Sequence, residues 1–292
     1  MGQERLRVCH SLDIAAYSRR VGQSSVSVSG LDTLTRLHQA HASSIPFENL
    51  EIQMGCPVRL DLDSLQTKLI HNQRGGYCFE QNTLFLAVLE RLGFNVIPHL
   101  ARVRQGASGL RPRTHMVLVT RISGADYLCD VGFGGDGPLQ PVPMSSTESL
   151  QGRDTFRVVA EESIDVLQLK RGNEWTDLYA LDREEAYPVD FELGNWFTST
   201  HPQSPFVRHV IVQQRTTEAR YMLRDLVYVE HSGGVNKKRT IERKELVPLL
   251  REVFGIHLDP DVTLRALDTS EKDSAAMIPR TASIRRDRNY RK

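Results

Sequence analysis

The sequence predicts an α+β protein of three consecutive units: a helical bundle over residues 1–93, an antiparallel β-barrel over 94–204 and an α/β unit over 205–292. Three observations carry this. Apolar residues recur at helical spacing through the first third. From Phe94 the pattern changes to short β-rich runs separated by glycine, proline and serine clusters. Beyond Pro202 and Pro205, strand-like runs lead to a single helix that stops at a glycine. A chain of 292 residues is also longer than one core usually needs.

The helical part begins with Leu31, Leu34 and Leu37, preceded by a small-residue connector, Ser24 to Gly30. Pro46 and Pro57 interrupt the pattern, Leu65 and Leu69 resume it, and Leu84, Phe85, Val88, Leu89 and Leu92 form a stripe that ends at Gly93. In the middle unit the strand-like runs are Phe94 to Val103, Thr114 to Ile122, Tyr127 to Val131, Phe156 to Ala160 and Val166 to Leu169. Turn clusters at Gly106 to Gly109, Gly132 to Gly137 and Pro141 to Ser146 divide them. The last unit offers strands over Arg208 to Gln214 and Asp225 to Glu230, then a helix from Glu242 to Phe254 stopped by Gly255.

Composition narrows the function classes. With 40% hydrophobic and 25% charged residues, the chain can bury a core and is not a disordered polymer. Thirty-seven basic residues against 36 acidic ones give a charge of +1, which points to neither nucleic acid nor an anionic membrane. The segment from Met1 to Tyr17 carries Glu4, Arg5, Arg7, His10 and Asp13 and so lacks the uninterrupted apolar stretch that a secretory signal requires. No run approaches the roughly 20 apolar residues of a membrane span, and a cytoplasmic protein is expected. Cys9, Cys56, Cys78 and Cys129 are too few for a disulfide scaffold and too scattered for a metal ribbon, so free thiols and no metal are expected. The tail from Pro279 to Lys292 is basic, as a solvated chain end can be.

The chemistry concentrates in Arg74-Gly75-Gly76-Tyr77-Cys78-Phe79-Glu80-Gln81-Asn82, where a paired-glycine turn delivers a cysteine to the start of a helix. Unpaired N–H groups and partial positive charge at that end favour a thiolate. Taken alone, Cys78 reads better as a small buried hydrophobe, which is what most free cysteines are. Thr114-His115-Met116 places an imidazole at the edge of an apolar strand, where a charge is costly without a purpose. Asp130 closes another hydrophobic run and enters the turn Val131-Gly132-Phe133-Gly134, where it can orient and stabilise an imidazolium or simply initiate the turn.

Those three segments, together with Ile45-Pro46-Phe47-Glu48-Asn49-Leu50, resemble the arylamine N-acetyltransferase family at its signature sites. The motifs cover about the first half of the chain, and the order of units extends the likeness over most of it. The resemblance implies that Cys78, His115 and Asp130 are the catalytic residues, in a core like that of cysteine proteases, with the last unit acting as a lid. It further implies acetyl-CoA as co-substrate and an aromatic amine, hydroxylamine or hydrazine as acceptor. Phe133 and Phe79 then line the acceptor pocket, and Thr114, Gly134 and Gly135 lie near the cofactor. Glu48 and Asn49 pair with Arg74 to pin the glycine turn. Two other readings stay open on the residues themselves: a thiol hydrolase or transglutaminase-like enzyme with the same three groups, and a binding protein in which all three are structural.

Overall fold

The computed structural model describes residues 12–23 and 30–267; Cys9, the connector from Ser24 and the basic tail lie outside them. The first part is helical. It comprises α1 (Ile14–Arg20), α2 (Leu31–Ser44), a two-residue strand β1 (Phe47–Glu48), α3 (Leu50–Met54) and α4 (Leu62–Leu65), which runs into a π turn at Gln66–His71. Then comes α5 (Cys78–Arg91). Leu84, Phe85, Val88 and Leu89 of α5 are fully buried, as their spacing requires, and pack with Leu34, Leu37, Leu65 and Leu69 of the other helices.

Eight antiparallel strands follow: β2 (Asn95–Val103), β3 (His115–Ile122), β4 (Ala125–Cys129), β5 (Val142–Pro143), β6 (Ser149–Gln151), β7 (Asp154–Glu161), β8 (Ile164–Arg171) and β9 (Glu174–Asp182). Their order in the sheet is β5-β4-β3-β2-β9-β8-β7-β6. The sheet curls until β5 comes against β7, giving a nearly closed barrel around Val117, Leu128, Phe156, Leu167, Leu169 and Leu178. The strand β9, which joins the two halves of the barrel, mixes polar and apolar residues and has no clear sequence signal.

After the barrel come α6 (Pro188–Thr200) and the short turn α7 (Pro205–Arg208), then β10 (Ile211–Arg215), β11 (Ala219–Arg224), β12 (Val227–Ser232), β13 (Val235–Thr240) and α8 (Leu246–Phe254). Gly255, at φ +66°, ends α8. Strands β10 to β13 form a second antiparallel sheet whose first strand is β1, from the helical part. The pairing of Phe47 with Gln213 and Glu48 with Val212 therefore stitches the beginning of the chain to its end. A core of Val212, Leu223, Tyr228, Leu246, Leu250 and Phe254 seals one face of this sheet against α8.

Candidate active site

Cys78 is the first residue of α5, and its position is set by the chain just before it. The segment Gly75-Gly76 runs beside β1, with the Gly76 N–H donating to the Pro46 carbonyl at 3.2 Å and the Glu48 N–H donating to the Gly76 carbonyl at 3.0 Å. A Cβ on Gly75 would sit on the Pro46 carbonyl, and one on Gly76 would meet the Glu80 side chain at 2.8 Å. Only glycine permits this approach. Glu80 caps the helix start by accepting the Tyr77 N–H at 3.1 Å, and its other oxygen accepts from Lys68 at 2.5 Å. Burial pushes the Glu80 carboxyl up to about 7 against the pull of Lys68.

Arg74 donates twice to one oxygen of buried Glu48, at 3.0 and 2.7 Å, while the other oxygen accepts the Leu50 N–H at 2.6 Å. The expected part of Asn49 in this pair is corrected by the structure. Its amide donates to the carbonyls of Phe206 and His209, both at 2.7 Å, and its oxygen accepts the Ile211 N–H at 2.8 Å. Glu48 thus holds the glycine turn, whereas Asn49 holds the start of the second sheet, three backbone groups that only a side chain with both donor and acceptor can serve.

His115 opens β3, and Asp130 follows the last residue of the neighbouring β4. Their side chains meet, with imidazole Nε2 2.7 Å from Asp130 Oδ2 and both groups almost fully buried. Burial alone would strip the imidazole of its proton; the charge and hydrogen bond of Asp130, helped by Cys78, outweigh it and raise the ring's pKa to about 10. Burial also opposes the Asp130 carboxylate, but the His115 charge and bonds from Asn82 and Gly132 hold its pKa below the usual range. With Nε2 committed to Asp130, Nδ1 is the nitrogen left to serve the Cys78 sulfur, which bonds to the carbonyl of Thr114 at 3.7 Å, one residue before His115.

A shell that sequence reasoning missed holds this arrangement. Asn82 donates to Asp130 Oδ1 at 3.0 Å and to the Met116 carbonyl at 2.8 Å, and accepts the Val131 N–H at 3.1 Å, joining α5, β3 and the aspartate turn. The Asp130 N–H donates to His38 Nε2 at 3.0 Å, and His38 Nδ1 bonds to the Leu139 carbonyl at 3.0 Å, so His38 is neutral with a fixed tautomer. Gly132 lies so close to α5 that a Cβ there would stand 2.8 Å from the Cα of Cys78. The Tyr179 ring packs 4.8 Å from the His115 ring. Asn82 had a visible signal, its place one helical turn after Cys78, but nothing marks His38 until the fold closes.

A cavity of about 670 Å3 opens over these groups, lined by Cys78, Thr114, His115, Phe133, Phe197 and Phe206 among others, with Arg111 and Arg224 also on its wall. Phe133 stands 5.2 Å from the His115 ring. Phe79 is elsewhere: it is fully buried beneath Gly194 and packs on Tyr77 and Phe191, away from the cavity. Gly134, at φ +89°, leaves room for the Gln213 carboxamide, and the Gly135 N–H donates to that same group at 2.8 Å. Cys129 is fully buried, bonded to Thr120, with burial pushing its thiol up to about 12. Among the described residues no group of three or more His, Cys, Asp or Glu could hold a metal ion, and no helix is long and apolar enough to cross a membrane. A cysteine sulfur, a charged imidazole and an aromatic-walled cavity together suit acyl transfer.

Comparison with known proteins agrees. Residues 30–263 match the family model described as N-acetyltransferase. An arylamine N-acetyltransferase of Mycolicibacterium smegmatis is 36% identical over 256 residues, covering 85% of this chain and 93% of the relative. One from Escherichia coli is 32% identical, covering 83% and 88%. Among solved structures, the Nocardia farcinica arylamine N-acetyltransferase superposes with a TM-score of 0.80 at 40% identity, covering 88% of this chain and 93% of that one. The Mycobacterium marinum enzyme, solved in complex with CoA, superposes with a TM-score of 0.78 at 34% identity, covering 84% and 93%.

Proposed function

The chain belongs to the arylamine N-acetyltransferase family and is an acyltransferase; from that premise we propose that it works through an acetyl-Cys78 intermediate, with His115 and Asp130 as its catalytic partners. The observation that carries the reading is the buried His115–Asp130 contact of 2.7 Å beside the Cys78 sulfur at the floor of the cavity.

The first step is attack of the Cys78 thiolate on the carbonyl carbon of acetyl-CoA. A new C–S bond forms, the old one breaks, and the departing CoA sulfur takes its proton from the His115 imidazolium. One thioester replaces another, so the exchange is nearly balanced. In the second step a neutral amine attacks the acetyl-Cys78 carbonyl, His115 accepts the proton the nitrogen loses, and Cys78 leaves as thiolate. The amide formed is more stable than the thioester and draws the cycle forward. Aromatic amines and hydrazines are largely unprotonated near neutral pH and can attack directly, as can the oxygen of an N-hydroxyarylamine. The Cys78 N–H at the head of α5 is placed to stabilise the oxyanion in both steps.

In this reading residues 1–93 carry the nucleophile, 94–204 the imidazole and carboxylate, and 205–292 a lid over the cavity. Phe133, Phe197 and Phe206 supply flat apolar walls for the acceptor. Thr114, Gly134 and Gly135 are the proposed contacts of the pantetheine arm, with Arg111 and Arg224 suited to the phosphates. A hydrolase or transglutaminase-like enzyme with the same three groups would differ in its acyl donor. Mixing the enzyme with acetyl-CoA and no amine separates them: release of one free thiol per chain followed by a stop, then renewed release on adding aniline or phenylhydrazine, supports the transferase. Peptide cleavage without any thiol release from acetyl-CoA would reject it.

A further inference from the structure

Lys68 is a lysine in the interior, 8% exposed. Helix α4 widens into the π turn Gln66–His71, and such turns recur at functional sites. From this turn Lys68 grips the chain on both sides of the nucleophile. Its carbonyl accepts the Arg74 N–H at 3.0 Å, just before the glycine pair. Its ammonium reaches Glu80, two residues after Cys78, at 2.5 Å, and Glu51 of α3 at 3.1 Å. Glu80 is 1% exposed and uses its other oxygen to hold the Tyr77 N–H at 3.1 Å, the last backbone N–H before that of Cys78. Burial and the like charges of Glu51 and Glu48 push the Glu80 carboxyl up, and Lys68 pulls it down. Burial also opposes the ammonium, but the charges of Glu80, Glu48 and Glu51 outweigh it, so Lys68 keeps its proton. A buried ion pair gives little stability over apolar side chains of the same volume, so stability does not account for a lysine here.

We propose that, on the acetyl-Cys78 reading, Lys68 and Glu80 are positioning residues for acyl transfer: together they fix the first turn of α5 so that the Cys78 sulfur and N–H meet the acetyl carbonyl in register. The ammonium fixes the carboxylate, and the carboxylate fixes the Tyr77 N–H. The next peptide along the chain carries the Cys78 N–H, the group placed at the oxyanion. Gly76 leaves room for this path, since a Cβ there would meet the Glu80 carboxylate at 2.8 Å. Neither Lys68 nor Glu80 lines the cavity, so neither touches the acyl donor or the acceptor. Without Lys68, Glu80 is left with a retained proton or an unpaired buried charge, and the first turn loosens. A displacement on the order of 1 Å at the nucleophile costs about 10^2 in rate.

The test is single-turnover acetylation of the full chain by acetyl-CoA, at low temperature so that every variant is folded. Lys68→Met should slow transfer to Cys78 roughly 10- to 100-fold, with the KM for acetyl-CoA within about twofold of wild type. Adding Glu80→Gln to that variant should recover most of the rate, because the carboxamide keeps an oxygen for the Tyr77 N–H and leaves no charge unpaired. Should Lys68→Met alone fail to fold, Glu80→Leu compared with Glu80→Gln carries the test. Both remove the charge and only the second keeps the hydrogen bond, so Glu80→Leu should be slower by roughly tenfold or more. Lys68→Met at the wild-type rate, or Glu80→Leu as fast as Glu80→Gln, would overturn the proposal. So would a loss confined to KM, or a double variant no faster than Lys68→Met. Failure of the acetyl-Cys78 reading shows separately: a wild type that acetylates an arylamine without ever carrying the acetyl group removes the step these residues serve, and the proposal with it.

Discussion

Lowering the pH from 7 to 5 should remove about 4 kcal/mol of stability through two buried histidines alone. His38 and His41 lie one turn apart on α2, both fully buried. Burial lowers the pKa of His38 from 6.5 to about 4; burial, reinforced by the nearby His38, lowers that of His41 to about 3. Both folded values lie below the unfolded one, so on acidification protons bind the unfolded chain first. The stabilisation is complete above pH 6.5 and is lost as pH falls toward the folded values. At pH 5 the unfolded chain holds nearly two more protons than the folded one, and each contributes about 2 kcal/mol by then. Set against the 5–15 kcal/mol a domain commonly has in all, this single contribution is large. It also reaches the site, because His38 can accept the Asp130 N–H only while Nε2 is bare. The raised values of Glu80, about 7, and His115, about 10, act in the opposite sense and together add about 3 kcal/mol over the same range, so the net change of the wild type is small. The histidine contribution is read by difference: in urea unfolding at pH 7, 6 and 5, His41→Gln, which keeps polar atoms toward Tyr17 and Gln81, should gain about 2 kcal/mol relative to wild type on going from pH 7 to pH 5. A variant whose stability follows the wild-type pH dependence would refute the reasoning.

Asp130→Asn should lower turnover by roughly 10^3 to 10^4, as in related triads, and release His115 from its raised value near 10. NMR of the imidazole nitrogens reads that release, and an unchanged titration would contradict it. Arg74→Ala removes one partner of a buried ion pair and should cost about 3–5 kcal/mol of stability while sparing the rate. Melting temperature compared with activity at low temperature separates the two effects. Gly132→Ala should all but abolish activity, since its methyl would meet the backbone of Cys78 as well as the Asn82 amide that bonds Asp130; wild-type turnover in that variant would show that the aspartate turn can shift freely.

What could be read from the sequence was whatever local periodicity and local chemistry announce. The stripe of α5, strands β2 to β4 and the terminal glycine of α8 all stand where spacing and turn residues put them. Cys78, His115 and Asp130 were legible because each sits at the start or end of such an element. Contacts formed across the fold were not. His38 reaches Asp130 over 92 residues, and Asn49 reaches Ile211 over 162. Phe79 looked like a pocket residue because it adjoins Cys78, yet successive helix residues point about 100° apart, and its side chain turns into the core. Helix α6 mixes Gly194 with aromatic and β-branched residues, and it spreads apolar groups over two faces, so it lacks a single stripe. The edge strand β13 is wholly exposed and rich in Lys and Arg, which guards a sheet edge but leaves no alternation to detect.

The central claim is that the acetyl group rests on one sulfur between two half-reactions. Intact-mass spectrometry after a brief exposure to acetyl-CoA, followed by peptide mapping, tests it directly. The account predicts one acetyl group per chain, located on Cys78, absent from Cys78→Ser, and discharged within one turnover when an arylamine is added. An enzyme that acetylates the amine at its full rate while never carrying the group, or that carries it on another residue, would contradict the account.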